Sequence, residues 1–349
     1  MIFKLPVVAL QVAEGLVGYL AELTMRYVNL CCCSLILAMA MVAGAEAVQG
    51  YPTKSIRMIV GFSPGGGTDI VARMIVPRLS ERMHQQIILD NRPGATGIIG
   101  ANLVAKSMPD GYTVLMGSVS SNAIAASMFR NLPFDLKRDF APITLAASVP
   151  HLIVVHPSLD VKSVKDLIAY AKTRPGKLFF PSAGIGTSSH LAGEIFKMMS
   201  GTDMVHVPYK GAGQSMQDQL AGQTKVAFNT VPAAVRYVKA GNLHAVAVLA
   251  LHRSPLLPEV STIGDSGVPG AEATTWYGLF APAGTSPQIL HRLHAEVNAV
   301  IQLPDVKDAL VTNGADETVT RSPAEFTKLV NSEIIRYAKV VKVAGVSPD

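Results

Sequence analysis

Five short segments of the chain collect glycines with hydroxyl and amide side chains: residues 63–68, 117–122, 182–189, 208–214 and 229–230. Thr68, Ser118, Ser120, Thr187 and Ser188 supply the hydroxyls, while Asn122 and Asn229 supply amides. Each segment follows a β-favouring run and precedes a helical period. A helix start leaves backbone N–H groups unpaired and carries the positive end of the helix dipole, so such loops attract a carboxylate or a phosphate. Taken singly, each also reads as an ordinary helix cap. Five of one character on one chain point to a shared crevice for an anion. Residues 63–68 and 182–189 contain no Lys or Arg, which excludes a guanidinium clamp from those loops. Backbone N–H groups and hydroxyls are then left to hold the acid. On this reading Thr187→Ala or Ser188→Ala weakens binding about tenfold and hardly changes the melting temperature of the empty protein. Asp69 opens a helix, where it caps or receives a ligand ammonium or hydroxyl. His190 falls in the first turn after the 184–189 loop and either donates to a bound acid or packs.

Other chemistries lack their residues. The phosphate-loop pattern fails at Gly176-Lys177-Leu178, and Gly184-x-Gly186 continues as Thr187-Ser188-Ser189 where a dinucleotide fingerprint wants a third glycine. No G-x-S-x-G nucleophile elbow occurs. His291 and His294 lie three apart on one helical period without further signalled ligands, so they read as a solvated helix face. The three cysteines are adjacent, Cys31 to Cys33, and form no metal or redox spacing. No metal and no cofactor is expected. Apolar residues make up 49% of the 349 and charged residues 16%, against about 25% charged in an average soluble domain. That composition excludes disorder. The net charge of +5 comes from scattered Lys and Arg with no basic run, which argues against nucleic acid as a partner.

Alternating strands and helices must position these loops. Strand patterns cover 56–62, 86–89 and 112–116, with helical periods at 69–84 and 98–107. The second half repeats this grammar. Strands read at 151–155, 177–181, 204–207, 225–228 and 244–249, with helices between them. Ser163 with Asp166 three residues on marks one helix start and Thr187 another, and helical periods cover 287–301 and 323–343. The expected fold class is α/β, with βαβ units, right-handed crossovers and mainly parallel sheets flanked by helices. Two lobes are expected, 51–147 with 275–349 and 148–274, joined by extended crossings at 142–155 and 274–282.

Residues 1–47 read as an upstream segment plus a signal peptide. Arg26 precedes an apolar core over residues 30–43, and small residues flank cleavage points near Ala45 or Ala47. Met25 is the expected start, and an uncleaved anchor is the competing reading. Export as a thiol-free monomer is the expectation.

Seven motifs then combine in register. They are Tyr51-Pro52-x-Lys54-x-Ile56-Arg57, Pro64-Gly65-Gly66-x-x-Asp69-x-x-Ala72-Arg73, Asn91-Arg92-Pro93-Gly94-Ala95-x-Gly97 and Pro109-Asp110-Gly111-Tyr112-Thr113. Gly184-x-Gly186-Thr187-x-Ser189-His190-Leu191, Val207-Pro208-Tyr209-Lys210-Gly211 and Trp276-Tyr277-Gly278-Leu279-Phe280-Ala281-Pro282 complete the set. Over 51–349 the chain resembles the Bug-type substrate-binding proteins of tripartite tricarboxylate transporters. The resemblance implies a two-lobe periplasmic binding protein of the Venus-flytrap kind (type II), which captures a small organic acid and delivers it to membrane permease subunits. It implies that the ligand carboxylate is gripped by the loop from Phe62 through Gly66, Gly67 and Thr68 to Asp69, and by the loop from Ser182 through Gly186, Thr187 and Ser188 to His190. Asn229 departs from the Asp often found there in the family, and an amide donates as well as accepts. Two alternatives stand beside transport: a sensor presenting bound solute to a membrane receptor, and an enzyme on this fold with His190 as proton donor.

Overall fold

The computed structural model describes residues 50–315 and 322–346. The expected leader, its start at Met25 and its cleavage points lie outside the described residues. From residue 52 the chain forms one compact unit. Its strands are β1 (Ile56–Val60), β2 (Ile87–Asn91), β3 (Thr113–Ser118), β4 (Phe140–Val155), β5 (Leu178–Ser182), β6 (Met204–Pro208), β7 (Val226–Thr230), β8 (His244–Val248) and β9 (Thr274–Pro282). Among them run α1 (Gly67–Met83), α2 (Ile98–Ala105), α3 (Ala125–Met128), α4 (Val164–Lys172), α5 (Ser188–Ser200), α6 (Ala212–Leu220) and α7 (Val231–Lys239). Three more, α8 (Pro287–Ile301), α9 (Pro304–Val311) and α10 (Pro323–Ala344), follow β9.

The main sheet runs β2-β1-β3-β9-β4-β7, with β8 also paired to β4. Parallel pairs are β1 with β2, β1 with β3, and the separate pair β5 with β6, where helices supply the crossovers. Every pairing made by β4 or β9 is antiparallel, so the sheet is mixed where mainly parallel sheets were expected. The reason is connectivity. β4 leaves the first half of the chain and β9 returns to it, so the two run in opposite directions side by side. The first part of β4, Phe140 to Pro150, pairs with β9, and His151 to Val155 pairs with β7 and β8.

Burial on both faces holds this frame. Leu152 and Val154 belong to one buried cluster with Ala227 and Val248, whereas Ile153 and Val155 belong to another with Phe180, Phe196 and Phe228. Alternation along the strand sends neighbours to opposite faces. A third cluster gathers Ile59, Leu115, Leu145, Phe280 and Phe326. Burying each such side chain contributes about 1.5–3 kcal/mol. Helix ends follow local chemistry. Ser163 Oγ accepts from the Asp166 N–H at 3.1 Å, and Ser286 Oγ accepts from Ile289 N–H ahead of Pro287, starting α8 at the expected residue. Among the described residues no helix is long and apolar enough to cross a membrane.

Candidate functional site

Four helices begin around one cavity. Helices α1, α5, α6 and α7 start after Gly66, Thr187, Gly211 and Thr230. Gly66, Gly67 and Thr68, then Thr187, Ser188 and Ser189, then Ala212 and Ser215, then Thr230 and Ala233 all line it. Three of the four starts have no side-chain cap; only Thr187 caps its own helix. Phe62, Ser118, Ser120, Ala183, Asn229, Thr275 and Tyr277 complete the wall. No Asp, Glu, Lys, Arg or His is among the lining residues. Dipoles and first-turn N–H groups therefore set the sign of the field, and that sign is positive. The space is narrow, leaving about 50 Å³ for the centre of a water-sized sphere.

Of the residues the sequence singles out, Phe62, Gly66, Gly67, Thr68, Ser118, Ser120, Thr187, Ser188 and Asn229 line this cavity. Five do not. Asp69 is buried beneath its loop, where Oδ2 accepts from the Gly65 N–H and from Arg73 Nε, both at 2.9 Å. Its Oδ1 accepts from Asn91 Nδ2 at 3.0 Å. Burial pushes its pKa up, but Arg73, the Gly65 N–H and Asn91 outweigh that and hold the carboxyl below the usual range. Asp69 shapes the loop from behind. Asn122 is buried, with Oδ1 accepting from Ser121 Oγ at 2.7 Å. Ser182 Oγ accepts the Gly184 N–H at 3.0 Å and lies 2.6 Å from His206 Nε2. Gly186 holds a left-handed φ of 75°, open to glycine without strain, and donates its N–H to His190 Nδ1 at 3.1 Å.

His190 thus faces its own loop, outside the cavity wall. Its ring stacks on His206 with centroids 3.7 Å apart. Burial, then His206 and Lys197, lower its pKa to about 3, while burial and then Lys197 lower His206 to about 4. With Nδ1 accepting, the neutral ring carries its proton on Nε2. A proton-donor role toward a ligand in the cavity has no geometry to support it. His291 is exposed, and His294 is tied down through Nδ1 to the Ile143 carbonyl at 3.0 Å. Among the described residues no group of three or more His, Cys, Asp or Glu could hold a metal.

Several wall residues escape sequence reasoning. Thr275 and Tyr277 come from β9, two apart and so on one face of the strand. Tyr277 is buried, and burial raises its pKa, so the phenol stays protonated and able to donate. An ideal Cβ on Gly67 would overlap the Tyr277 hydroxyl and stand 3.0 Å from Thr230 Oγ1, which is why α1 opens on glycine. Ser215 sits three residues beyond Ala212 on α6, one turn along the same face. Asn229 donates from Nδ2 to Gln219 Oε1 at 2.7 Å, so one of its two amide hydrogens is engaged by the protein.

Hydrogen bonds cross the cleft. The Ser188 N–H donates to Ser120 Oγ at 3.0 Å, Ser63 Oγ donates to the Lys210 carbonyl at 3.2 Å, and Thr96 Oγ1 donates to the Ile185 carbonyl. A second, wider cavity lies beyond Phe62 and Ala183, which line both spaces.

This architecture is that of the two-lobe periplasmic binding proteins. R. palustris Rpa4515, solved with adipate, is 37% identical, with a TM-score of 0.83 over 86% of this chain and 100% of that one. MatC from Rhodopseudomonas palustris, solved with bound malate, is 30% identical, with a TM-score of 0.79 over 83% of this chain and 100% of MatC. BugT of Bordetella pertussis is 34% identical over 312 residues, covering 89% of this chain and 95% of BugT. Residues 71–346 match the model of the tripartite tricarboxylate transporter family receptors. The chain belongs to that receptor family, as the seven motifs imply.

Proposed function

We propose that the chain is a periplasmic receptor that captures a small organic acid and hands it to the membrane subunits of a tripartite transporter, without catalysing a reaction on it. One observation carries the acid class: four helix N-termini open onto a single cavity whose wall holds no charged side chain. Free N–H groups there replace the hydration of a carboxylate. Adipate in Rpa4515 and malate in MatC support the same class. The proposed lobes are residues 51–147 with 275–349, and 148–274. The paired strands β4 and β9 serve as the hinge between them. The site residues we assign are Phe62, Gly66, Gly67, Thr68, Ser118, Ser120, Thr187, Ser188 and Asn229, with Thr230, Thr275 and Tyr277 added from the structure. Asp69, Ser182, Gly186 and His190 shape the two gripping loops from behind. The capturing form we propose is a monomer.

A thermal-shift and calorimetric panel tests the proposal. It contains dicarboxylates, tricarboxylates, aromatic acids and amino acids, with neutral sugars as controls. Saturable binding of at least one acid at one site per chain is expected, with no response to the sugars. Binding of a sugar with no response to any acid would overturn the reading.

A further inference from the structure

The Asn229 amide is held by a hydrogen-bond relay with a fixed direction. One face of α6 carries Ser215, which lines the inner cavity, and Gln219 one turn further along, which does not. Gln219 is fully buried. Its Nε2 donates to the Val154 carbonyl at 3.4 Å, and its Oε1 accepts from Asn229 Nδ2 at 2.7 Å. A backbone carbonyl only accepts. Turning the Gln219 amide over would set oxygen against oxygen at Val154, so Oε1 has to face Asn229, and Asn229 in turn has to present Nδ2. That choice decides which end of the Asn229 amide is left over. Its Oδ1 has no donor among the described residues, and Asn229 lines the inner cavity. Ser215 adds to the same side. Its Oγ gives its proton to the Ala212 carbonyl at 2.9 Å, so toward the cavity it too is left to accept. Helix starts fill the rest of the wall with donors, and the remaining hydroxyls turn either way.

We infer that Gln219 is a positioning residue for binding: without lining the cavity, it locks Asn229 as an acceptor toward the ligand, so that the site discriminates acids by whether they carry a hydroxyl beside the bound carboxylate. This rests on the carboxylate reading of the inner cavity. Carboxylate oxygens only accept, so a plain acid leaves Asn229 Oδ1 without a partner, and an unmet acceptor in a closed site is unfavourable. The inner space is narrow, which keeps any matching donor close to the carboxylate. An ammonium would meet no counter-charge there, because the wall holds no acidic side chain. A hydroxyl supplies the proton without that cost.

Calorimetric titration of adipate against each enantiomer of 2-hydroxyadipate, and of propionate against each enantiomer of lactate, tests the inference. In the wild type the tighter enantiomer should bind about three- to tenfold better than its plain acid, the worth of one hydrogen bond. Gln219→Met fills similar space without an amide and lets the Asn229 amide turn. It should bring that ratio to within about twofold of unity while adipate still binds. Asn229→Ala removes the acceptor and should do the same, and adding Gln219→Met to it should leave the ratio where it is, because Gln219 acts through Asn229. A merely structural Gln219 would lower the melting temperature on substitution and leave the ratio intact. A wild-type ratio near unity, or a ratio retained in Asn229→Ala or in Gln219→Met, would overturn the inference; the first two results need no Gln219 variant to fold. Binding of some other acid but of neither pair would overturn it as well. Each of these outcomes leaves the carboxylate receptor standing, whereas failure of every acid to bind would overturn both.

Discussion

Replacing Thr187 by Ala should damage both stability and binding, whereas replacing its neighbour Ser188 by Ala should damage binding alone. Thr187 is the N-cap of α5; its Oγ1 accepts from the His190 N–H at 3.4 Å and donates to the Gly184 carbonyl at 2.7 Å. Removing the hydroxyl leaves the Gly184 carbonyl with two donors, the Thr187 N–H at 3.2 Å and Ser182 Oγ at 2.9 Å. The His190 N–H, in a buried residue, loses its side-chain acceptor. Loss of a cap of this kind costs about 1–2 kcal/mol, which lowers the melting temperature by roughly 1.5–3 °C in a unit of this size. The expectation that the empty protein would be unaffected is corrected by that geometry. Ser188 is different. Its N–H is bound to Ser120 Oγ whatever its side chain, and Ser188 lines the cavity without serving as the cap. Ser188→Ala should keep the melting temperature within about 1 °C and weaken a bound acid about tenfold, the worth of one hydrogen bond to a charged group. Thr187→Ser restores the cap and should restore the melting temperature. Thermal melts of the empty proteins and calorimetry with a bound dicarboxylate read both effects. Equal melting temperatures for Thr187→Ala and wild type, or full affinity in Ser188→Ala, would refute the assignment of these two roles.

Acid should destabilise the protein through its buried histidines. Burial lowers His151 to about 4, and burial with neighbouring charge lowers His190 to about 3 and His206 to about 4. Their folded pKa values lie below the unfolded value, so the unfolded chain binds more protons and stability falls as pH drops from about 6.5 toward 4. His151, fully buried, accounts for about 1 kcal/mol of loss between pH 7.5 and 5.5. Denaturant melts across that range should show His151→Asn flattening the slope by about a third; an unchanged slope counts against it. Gly67→Ala forces a methyl group against the Tyr277 hydroxyl, and should cost about 1–3 kcal/mol and reduce acid binding at least tenfold. Adding Tyr277→Phe should recover part of the stability, and no recovery would mean the clash lies elsewhere.

Helix α8 was legible to the residue because Ser286, Pro287 and the buried positions Ile289, Leu293 and Val297 all carry one message. β4 was legible only in part. Read from sequence, 151–155 is a strand and 142–155 an extended crossing, yet the strand is continuous from Phe140 through Pro142 and Pro150. Proline normally argues against an interior strand. A register shift between Pro142 and Thr144 absorbs the misfit at the first of these prolines. The loop at 117–122 runs into a π-helical turn over Ser120–Ile124 that no propensity signals, and α9 is too short to show a period. At the site, hydroxyl-rich loops located the cavity because helix starts leave a local signature. Which way His190 and Asp69 face depends in part on more distant partners, His206 and Asn91, which no local pattern reports. Tyr277 and Thr275 reach the wall through strand pairing with residues more than a hundred positions away. Pairing of that range is set by the tertiary fold.

The central claim is that helix N-termini, and no charged side chain, hold the carboxylate of a bound acid. Paired titrations of adipate and its uncharged diamide, adipamide, test it most directly, because the two share length and shape and differ in charge. A hydrogen bond to an ionised group contributes about 1.5–3 kcal/mol, so adipate should bind at least tenfold more tightly than adipamide. Lowering the pH below the ligand's own pKa values should abolish the difference. Adipamide binding as tightly as adipate near neutral pH would contradict the account.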